Sequence, residues 1–442
     1  MPSLGMANVL DEDKKQQVIA LGCLGWSRPC PPARLRSFLP IIMNSLWSNG
    51  LQGFGVRSRR RGIALLFICA LRFTAPTRVH AQTVMDTRAE TFPAGPHPKG
   101  WWPRQSAPAR DAYTGPQTCA TCHRLEYNWW KRSQMAHAMK PAAKSRFLHA
   151  HPQLVLNRGP YTYRISLSGG RAIYSVTDGE KTLSVPLLWA YGTGVVTRSF
   201  VFHLNRTYSD AEVAYYPSLG RLGVEAGLNR APPPSLEQAF GFRLSPEAAR
   251  QCIACHTTAA VTGGRLHVGS MIPGVSCEAC HGPGARHAAA MRALTQGAIP
   301  KQAYILNPAK LAPSELEDFC GACHRSTRLV IGEGIHGLDT VHYEPYRLEM
   351  SQCWIMSQQI TCITCHDPHR PLELNAEAYI RACLRCHSRT ASGTMAGRIC
   401  PMATRHCVTC HMPKCRLPLA PISMYDHFIR VVRPDDPCFA RH

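Results

Sequence analysis

The chain has 442 residues, with 50 Lys or Arg against 28 Asp or Glu, so its formal net charge is +22. Such a charge fits nucleic-acid binding, but no signature of an RNA- or DNA-binding protein is present. No apolar run reaches the roughly 18 residues that span a membrane, which argues against a transmembrane protein. The 21 cysteines and 21 histidines instead favour a protein organised around Cys and His ligands.

Residues 1–81 are predicted to be a secretory signal region. The basic run 57–61 precedes the apolar stretch 62–71, and the small residue Ala81 suits a cleavage site. Signals normally begin at the chain start, so Met43 is an alternative initiator. A buried core helix is the competing interpretation of the apolar stretch. The remainder of the chain is expected to be exported to the periplasm or the cell surface.

A proline-rich stretch, residues 82–117, is predicted to form an extended arm. Residues 118–150 follow and carry a Cys-x-x-Cys-His sequence on a predicted helix. In residues 155–230, apolar and polar residues alternate, and Gly169-Gly170 and Asp178-Gly179 predict hairpin turns between short strands. This small β-rich insertion is expected either to shield a cofactor or to dock a partner.

Residues 240–430 contain six further copies of the Cys-x-x-Cys-His motif in close succession. Ser245 before Pro246 predicts the start of a helix that leads into the first of these copies. Ser314 and Glu317 predict a capping box before a later copy. The spacing leaves too little chain for an ordinary apolar core. The groups bound by the motifs are therefore expected to form most of the core of a six-motif domain.

The seven Cys-x-x-Cys-His copies predict seven covalently attached c-type haems. Two cysteines three residues apart on one helical turn can form thioethers to the haem vinyl groups, and the adjoining histidine then ligates the iron. Zinc sites pair their Cys-x-x-Cys knuckles, and neither zinc nor a disulfide framework requires these histidines. The attachment residues would be Cys119, Cys122, Cys252, Cys255, Cys277, Cys280, Cys320, Cys323, Cys362, Cys365, Cys383, Cys386, Cys407 and Cys410. The proximal iron ligands would be His123, His256, His281, His324, His366, His387 and His411.

Further histidines are candidates for the distal position on the iron: His137, His267, His287, His369 and His427. His287 and His369 each follow a motif after a short turn, which suits ligation of a neighbouring haem better than of their own. Met135 and Met139 compete with His137, and the arguments for His267 and His427 are weaker. Histidine on both sides of the iron gives a low-potential carrier, whereas an open side could bind and reduce a small molecule.

Cysteines of the expected mature chain also lie outside the motifs: Cys353, Cys400, Cys415 and Cys438. In an oxidising compartment such cysteines can form disulfides. We predict a bond between Cys353 and Cys400, with free buried thiols as the alternative.

Four segments together have a familiar pattern: 113–119, Trp130 with Ser133 before His137, the Gly-Pro turn within 277–287, and Cys-Val-Thr-Cys-His-Met-Pro-Lys414. In these the chain resembles the multihaem c-type cytochromes allied to the tetrahaem carrier of nitrification, pentahaem nitrite reductase and octahaem hydroxylamine oxidoreductase. The resemblance covers about 119–145 and 250–430. It implies a mainly α fold around stacked haems and favours His137, His287 and His369 as distal ligands.

Pentahaem nitrite reductase holds its active-site haem with a Cys-x-x-Cys-Lys motif, and this sequence has none, so catalysis does not carry over. We expect a mainly α electron-transfer protein with a small β-rich insertion. It would relay electrons from a quinol-side donor to a terminal reductase or an extracellular acceptor. The alternatives are an enzyme reducing a nitrogen or sulfur oxyanion at one open haem, and a self-associating subunit of a polymeric haem wire.

Overall fold

The structure is a computed structural model that describes residues 103–104, 108–228, 230–297, 299, 302–388, 399–402, 404–418 and 420–439. The predicted signal region and most of the predicted arm lie outside these residues. Within them, no helix has the length and apolar character needed to cross a lipid bilayer.

The largest element is an antiparallel sheet. The strands in this part of the chain are β1 (Met139–Pro141), β2 (Gln153–Arg158), β3 (Tyr161–Ser168), β4 (Arg171–Thr177), β5 (Thr182–Tyr191), β6 (Ser199–Leu204), β7 (Thr207–Ala211), β8 (Val213–Tyr216), β9 (Arg221–Val224) and β10 (Gly241–Arg243). Their order in the sheet is β10-β7-β6-β5-β4-β3-β2, with β1 also paired to β5, while β8 and β9 form a separate hairpin.

The predicted hairpin turns are confirmed. Ser168 pairs with Arg171 across the β3–β4 turn, and Thr177 pairs with Thr182 across the β4–β5 turn. Gly169 and Gly170 have φ angles of +55° and +73°, the left-handed backbone that the tightest hairpin turns require. Glycine adopts it without steric cost.

The helices are short: α1 (Pro116–Ala120), α2 (Arg124–Trp130), α3 (Arg146–Ala150), α4 (Leu236–Phe240), α5 (Pro246–His256), α6 (Cys277–His281), α7 (Ala285–Thr295), α8 (Pro313–His324), α9 (Thr327–Glu333), α10 (Glu344–Glu349), α11 (Gln352–Ser357), α12 (Cys362–Cys365), α13 (Ile380–Leu384) and α14 (Cys407–His411). Small two-stranded pairs join Thr257–Thr258 to Ile272–Pro273, Val261–Thr262 to Arg265–Leu266, and Lys414–Arg416 to Ser423–Tyr425.

The prediction of a mainly α fold is wrong. The described region is 38% helical and 22% strand, so the fold mixes helices with a large sheet. The sheet also exceeds the predicted insertion, because β1 precedes residue 155 and β10 follows residue 230. Both outer strands are only three residues long and pair through backbone hydrogen bonds, which leave little trace in a side-chain pattern.

Helix starts agree with the sequence in one case and differ in another. Ser245 caps α5 by accepting a hydrogen bond from the backbone N–H of Ala248 at 3.1 Å, as predicted. The predicted Ser314 cap is wrong, since α8 already begins at Pro313. The carboxylate that reaches back belongs to Glu315, which accepts the N–H of Ala312 at 2.9 Å.

The two faces of the sheet bury different neighbours. One face packs Tyr174 and Phe202 against Phe240 of α4 in the main apolar core. The alternate residue Val201 points to the other face, where it packs with Ile253 of α5. Because alternate strand residues face opposite sides, a single strand holds its own core and also positions the helix that carries the second motif.

The predicted bond between Cys353 and Cys400 is wrong, because Cys353 carries a free thiol. The disulfide instead joins Cys415 to Cys438, whose Cα atoms are 4.5 Å apart. Cys415 lies on the strand Lys414–Arg416, and the chain after its partner strand returns Cys438 to it in a 3₁₀ turn.

Candidate haem centres

Each Cys-x-x-Cys-His motif lies on or beside a short helix, and these helices (α1, α5, α6, α8, α12, α13 and α14) are called the motif helices below. Within a motif, the backbone N–H of the histidine donates to the backbone carbonyl of the first cysteine. The distance is 2.8 Å for His123, 2.9 Å for His366 and 3.0 Å for His387. This is the i to i−4 bond of one helical turn. It turns both cysteines and the histidine toward one side, as attachment to one haem requires.

Cysteines of different motifs lie close enough to shift one another's pKa. Four such pairs are Cys119 with Cys277, Cys255 with Cys323, Cys320 with Cys362, and Cys383 with Cys407. These pairs relate the first motif to the third, the second to the fourth, the fourth to the fifth, and the sixth to the seventh.

Two further pairs of cysteines from different motifs interact electrostatically. Cys280 of the third motif interacts electrostatically with Cys320 of the fourth. Cys365 of the fifth motif interacts in the same way with Cys383 of the sixth. These interactions relate the motifs in the order first, third, fourth, fifth, sixth and seventh, with the second beside the fourth.

Three of the five distal candidates face a motif histidine. His287 lies opposite His123 with ring centroids 6.4 Å apart, and His369 lies opposite His281 at 6.0 Å. His427 lies opposite His366 at 6.3 Å. These three associations are called the histidine pairs below.

The spacing of the histidine pairs fits an intervening iron. Two imidazoles on opposite sides of one iron, each with a metal–nitrogen distance of about 2 Å, have ring centroids roughly 6.3 Å apart. Direct stacking of two rings would bring them closer. Arg104 adds a second sign of fit, because its buried Nε has no hydrogen-bond partner among the described residues and its charge acts on Cys255. A haem propionate is a suitable acceptor for it.

The second nitrogen of several rings is held by the protein. Nδ1 contacts a backbone carbonyl at 3.2 Å in His256, 2.8 Å in His281 and 2.9 Å in His411. In the histidine pairs, Nδ1 of His287 contacts the Ala303 carbonyl at 2.7 Å. Donation from Nδ1 fixes the tautomer that presents Nε2 to a metal.

Burial also favours the neutral form of several motif histidines. Desolvation lowers the pKa of His256 and His281, and lowers that of His366 to about 4. A neutral ring is the form that binds metal. His324 differs, because its Nδ1 contacts the Glu344 carboxylate at 3.3 Å.

The other two distal candidates do not face a motif histidine among the described residues. The Nε2 of His137 is within 3.0 Å of the Lys131 carbonyl, so the nitrogen that usually binds a metal is already bonded. His267 is exposed, and its backbone N–H donates to the Ala260 carbonyl at 2.8 Å.

Two buried acids that the sequence analysis missed connect the motif helices. Glu278, directly after Cys277, accepts the backbone N–H groups of Thr114 and Gly115, each at 2.9 Å, before the first motif. Glu317 of α8 accepts the N–H of Cys362 at 2.8 Å. Each carboxylate therefore joins two motifs whose cysteines also form one of these pairs. The only sequence signal for these two acids is a Glu just before or within a motif. That signal does not reveal which backbone N–H groups the carboxylate accepts.

The C-terminal segment is anchored by Asp426, whose side chain is fully buried. Arg347 donates from Nε to this carboxylate at 2.7 Å, and Arg430 donates from its guanidinium at 2.6 Å. The adjoining residue is His427 of the third histidine pair. The Arg430 carbonyl is the acceptor for His411. Residues 427–430, next to the Asp426 anchor, thus lie beside the histidines of both the fifth and the seventh motif.

Comparison with known proteins gives a family match over part of the chain. Residues 118–157 and 236–282, which contain the first three motifs, match the family model of cytochrome c554 and c-prime. No curated protein sequence matches the chain. The structure of the outer cell wall cytochrome OcwA aligns with 48% of this chain and 37% of its own at 15% identity, with a TM-score of 0.28, too low to indicate a shared fold. The family match supports a multihaem c-type cytochrome in electron transfer, with covalently bound haem.

Proposed function

We propose that the chain is an exported heptahaem cytochrome that passes electrons between seven neighbouring haems. The observation that carries this proposal is that cysteines of neighbouring motifs lie close enough to shift one another's pKa. Haems bonded to cysteines so close together would be neighbours. The disulfide between Cys415 and Cys438 supports an oxidising compartment.

The cysteines of each motif would hold the haem, and the motif histidine would ligate its iron. Each bound haem would supply an iron that alternates between the ferric and ferrous states. At the first, third and fifth motifs, both histidines of a pair would hold the iron, which would leave it no position for a substrate. Backbone carbonyls at Nδ1 of His281, His287 and His427 hold these rings in one orientation, so little rearrangement would accompany a change of charge.

Reduction of a nitrogen or sulfur oxyanion is a second candidate function, and the fourth motif favours it. His324 contacts a carboxylate rather than a carbonyl, and such a partner makes a ligating histidine a stronger electron donor. Among the described residues, no histidine ring lies opposite His324 at the spacing of the histidine pairs.

Mass spectrometry and low-temperature electron paramagnetic resonance of the purified, oxidised protein test the proposal together. We expect a mass that exceeds the polypeptide by seven haems, with low-spin signals from at least the three histidine pairs. Zinc without haem absorbance would refute the cytochrome assignment. A stoichiometric high-spin signal would favour the oxyanion reductase, and assays with nitrite, hydroxylamine and tetrathionate would then identify its substrate.

A further inference from the structure

Two buried carboxylates lie where the sheet meets α5. Asp210 belongs to β7 and Glu225 directly follows β9, and they are only 4% and 7% exposed. Tyr191 of β5 donates its hydroxyl to Asp210 Oδ2. Ser199 of β6 donates to Glu225 Oε1 at 3.0 Å, as does the Ala226 N–H at 3.2 Å. The other oxygen of each carboxylate is buried without a hydrogen-bond partner among the described residues.

No cation compensates this pair within the described part of the chain, because neither carboxylate has a hydrogen bond or ion pair with Lys or Arg. The ionisable groups that face the pair from neighbouring elements are all neutral or acidic: Tyr174, Tyr191, Glu212, Tyr216 and Cys252. The buried Arg158 instead binds Glu212 at 2.9 Å. Two unpaired charges are strongly unfavourable in a buried site, so the pair favours holding a proton.

The pair also lies beside the second motif. Asp210 and Glu225 both lie close enough to Cys252, an attachment cysteine, to interact with it electrostatically. The Tyr191 ring lies edge-on to His256, with 5.4 Å between the centroids. Trp189 of β5 and Ile253 of α5 hold the two elements in one apolar cluster. A charge added at this motif would therefore be felt by both carboxylates through a low-dielectric interior.

We propose that the Asp210–Glu225 pair takes up a proton when an electron reaches the haem attached at Cys252 and Cys255, so that the protein moves protons together with electrons. This inference rests on the proposed function. The electron comes from the redox donor. One carboxylate oxygen takes a proton from water and forms an O–H bond, so the local charge is unchanged. When the electron leaves for the next motif, the O–H bond breaks and the proton returns to water.

Glu225 is the member of the pair that exchanges the proton. Burial raises its pKa to about 7, whereas burial and the charge of Glu225 raise the pKa of Asp210 well above its usual range. Asp210 therefore remains protonated while Glu225 responds near neutrality. The residues that follow it, Ala226 and Gly227, are exposed, so water lies a short distance away.

Proton uptake on full reduction tests the proposal directly. The holoprotein is reduced near pH 7 in weak buffer with a pH indicator, and the same is done for Glu225→Gln and Asp210→Asn. The control is Asp178→Asn, an exposed carboxylate in the β4–β5 turn whose hydrogen bonds asparagine can retain. Glu225, with a pKa of about 7, is half protonated at pH 7 before reduction. We therefore expect the wild type and the control to take up as much as about half a proton more per molecule than Glu225→Gln.

Redox titration at pH 6 and pH 8 supplies a second readout. One haem of the wild type should fall in midpoint potential as the pH rises, by at most about 59 mV for each tenfold change in proton concentration in a one-electron couple. This dependence should be absent from Glu225→Gln. Equal proton uptake and equal slopes in the wild type and this variant, with equal haem content, would overturn the proposal.

Infrared difference spectroscopy of the wild type keeps the proposal falsifiable if the Asp210 variant does not fold. A protonated carboxyl band should appear on reduction and be missing in Glu225→Gln, and its absence from the wild type would contradict the proposal. Visible absorbance distinguishes failure of the proton-uptake proposal from failure of the proposed electron-transfer function. A wild-type protein without haem would refute the proposed electron-transfer function itself.

Discussion

The sheet and the motif helices are stabilised in different ways. The sheet has a conventional core in which Phe202 is 1% exposed and packs on Tyr174 and Phe240. The apolar cluster around α8 is much smaller and consists of Leu316, Phe319 and Ala322 with cysteines at its edge. Side-chain volume therefore specifies the sheet, whereas the motif helices depend on hydrogen bonds and on what their cysteines bind.

The buried acidic residues of the two regions also differ. In the motif helices, Glu278 and Glu317 are bound by backbone N–H groups and so hold segments distant in sequence. At the boundary with the sheet, Asp210 and Glu225 each leave an oxygen without a partner. A buried carboxylate bound by backbone donors has a structural role, whereas one with an oxygen left unpaired is suited to exchange a proton.

The largest loss of stability is expected from the sheet core. Phe202→Ala should lower the free energy of unfolding by about 3–5 kcal/mol, because it removes a buried ring and leaves a cavity. Its haem spectrum should be unchanged, since the core cluster around this ring includes no motif residue among the described ones. Denaturant unfolding followed by circular dichroism and by visible absorbance measures both effects.

Leu204→Ala is the matched control on the same strand. Leu204 is 43% exposed, so the change should cost less than about 1 kcal/mol. If Phe202→Ala altered the haem spectrum in addition to the free energy of unfolding, the proposed separation between the sheet and the motif helices would be wrong.

A smaller loss is expected from the anchor of the C-terminal segment. Asp426→Asn removes the charge bound by Arg347 and Arg430 and should cost about 2–3 kcal/mol. Burial alone would raise the pKa of Asp426, but the two arginines outweigh it and lower the pKa. The stabilisation is therefore present above the unfolded pKa of about 3.9 and is lost as the pH falls through the folded value.

Urea unfolding between pH 3 and pH 7 tests this anchor. The wild type should lose part of its stability below about pH 4, and Asp426→Asn should lack that component. The control Asp435→Asn, in the same segment but exposed, should behave as the wild type does. An acid-dependent loss of the same size in Asp426→Asn would assign the stabilisation to other carboxylates.

The sequence predicted those features that short-range chemistry determines. The motifs, the β3–β4 and β4–β5 turns and the Ser245 cap each depend on a few adjacent residues. The extent of the sheet depends on the pairing of β1 and β10 with distant strands, so its local pattern was insufficient. The Cys415–Cys438 bond and the acceptor role of Glu278 likewise depend on contacts that only the folded chain creates. His287, His369 and His427 were available as candidates, but their partners could not be chosen without the fold.

The smallest change in stability, with a specific spectroscopic effect, is expected from His287→Ala. The ring is only partly buried, so the free energy of unfolding should change by less than about 1 kcal/mol. Loss of the residue opposite His123 should nevertheless convert one low-spin haem to high spin, seen by electron paramagnetic resonance. His267→Ala is the matched control, because that histidine faces no motif histidine among the described residues. An unchanged spectrum in His287→Ala would remove His287 as a ligand, and the 6.4 Å spacing would then reflect packing alone.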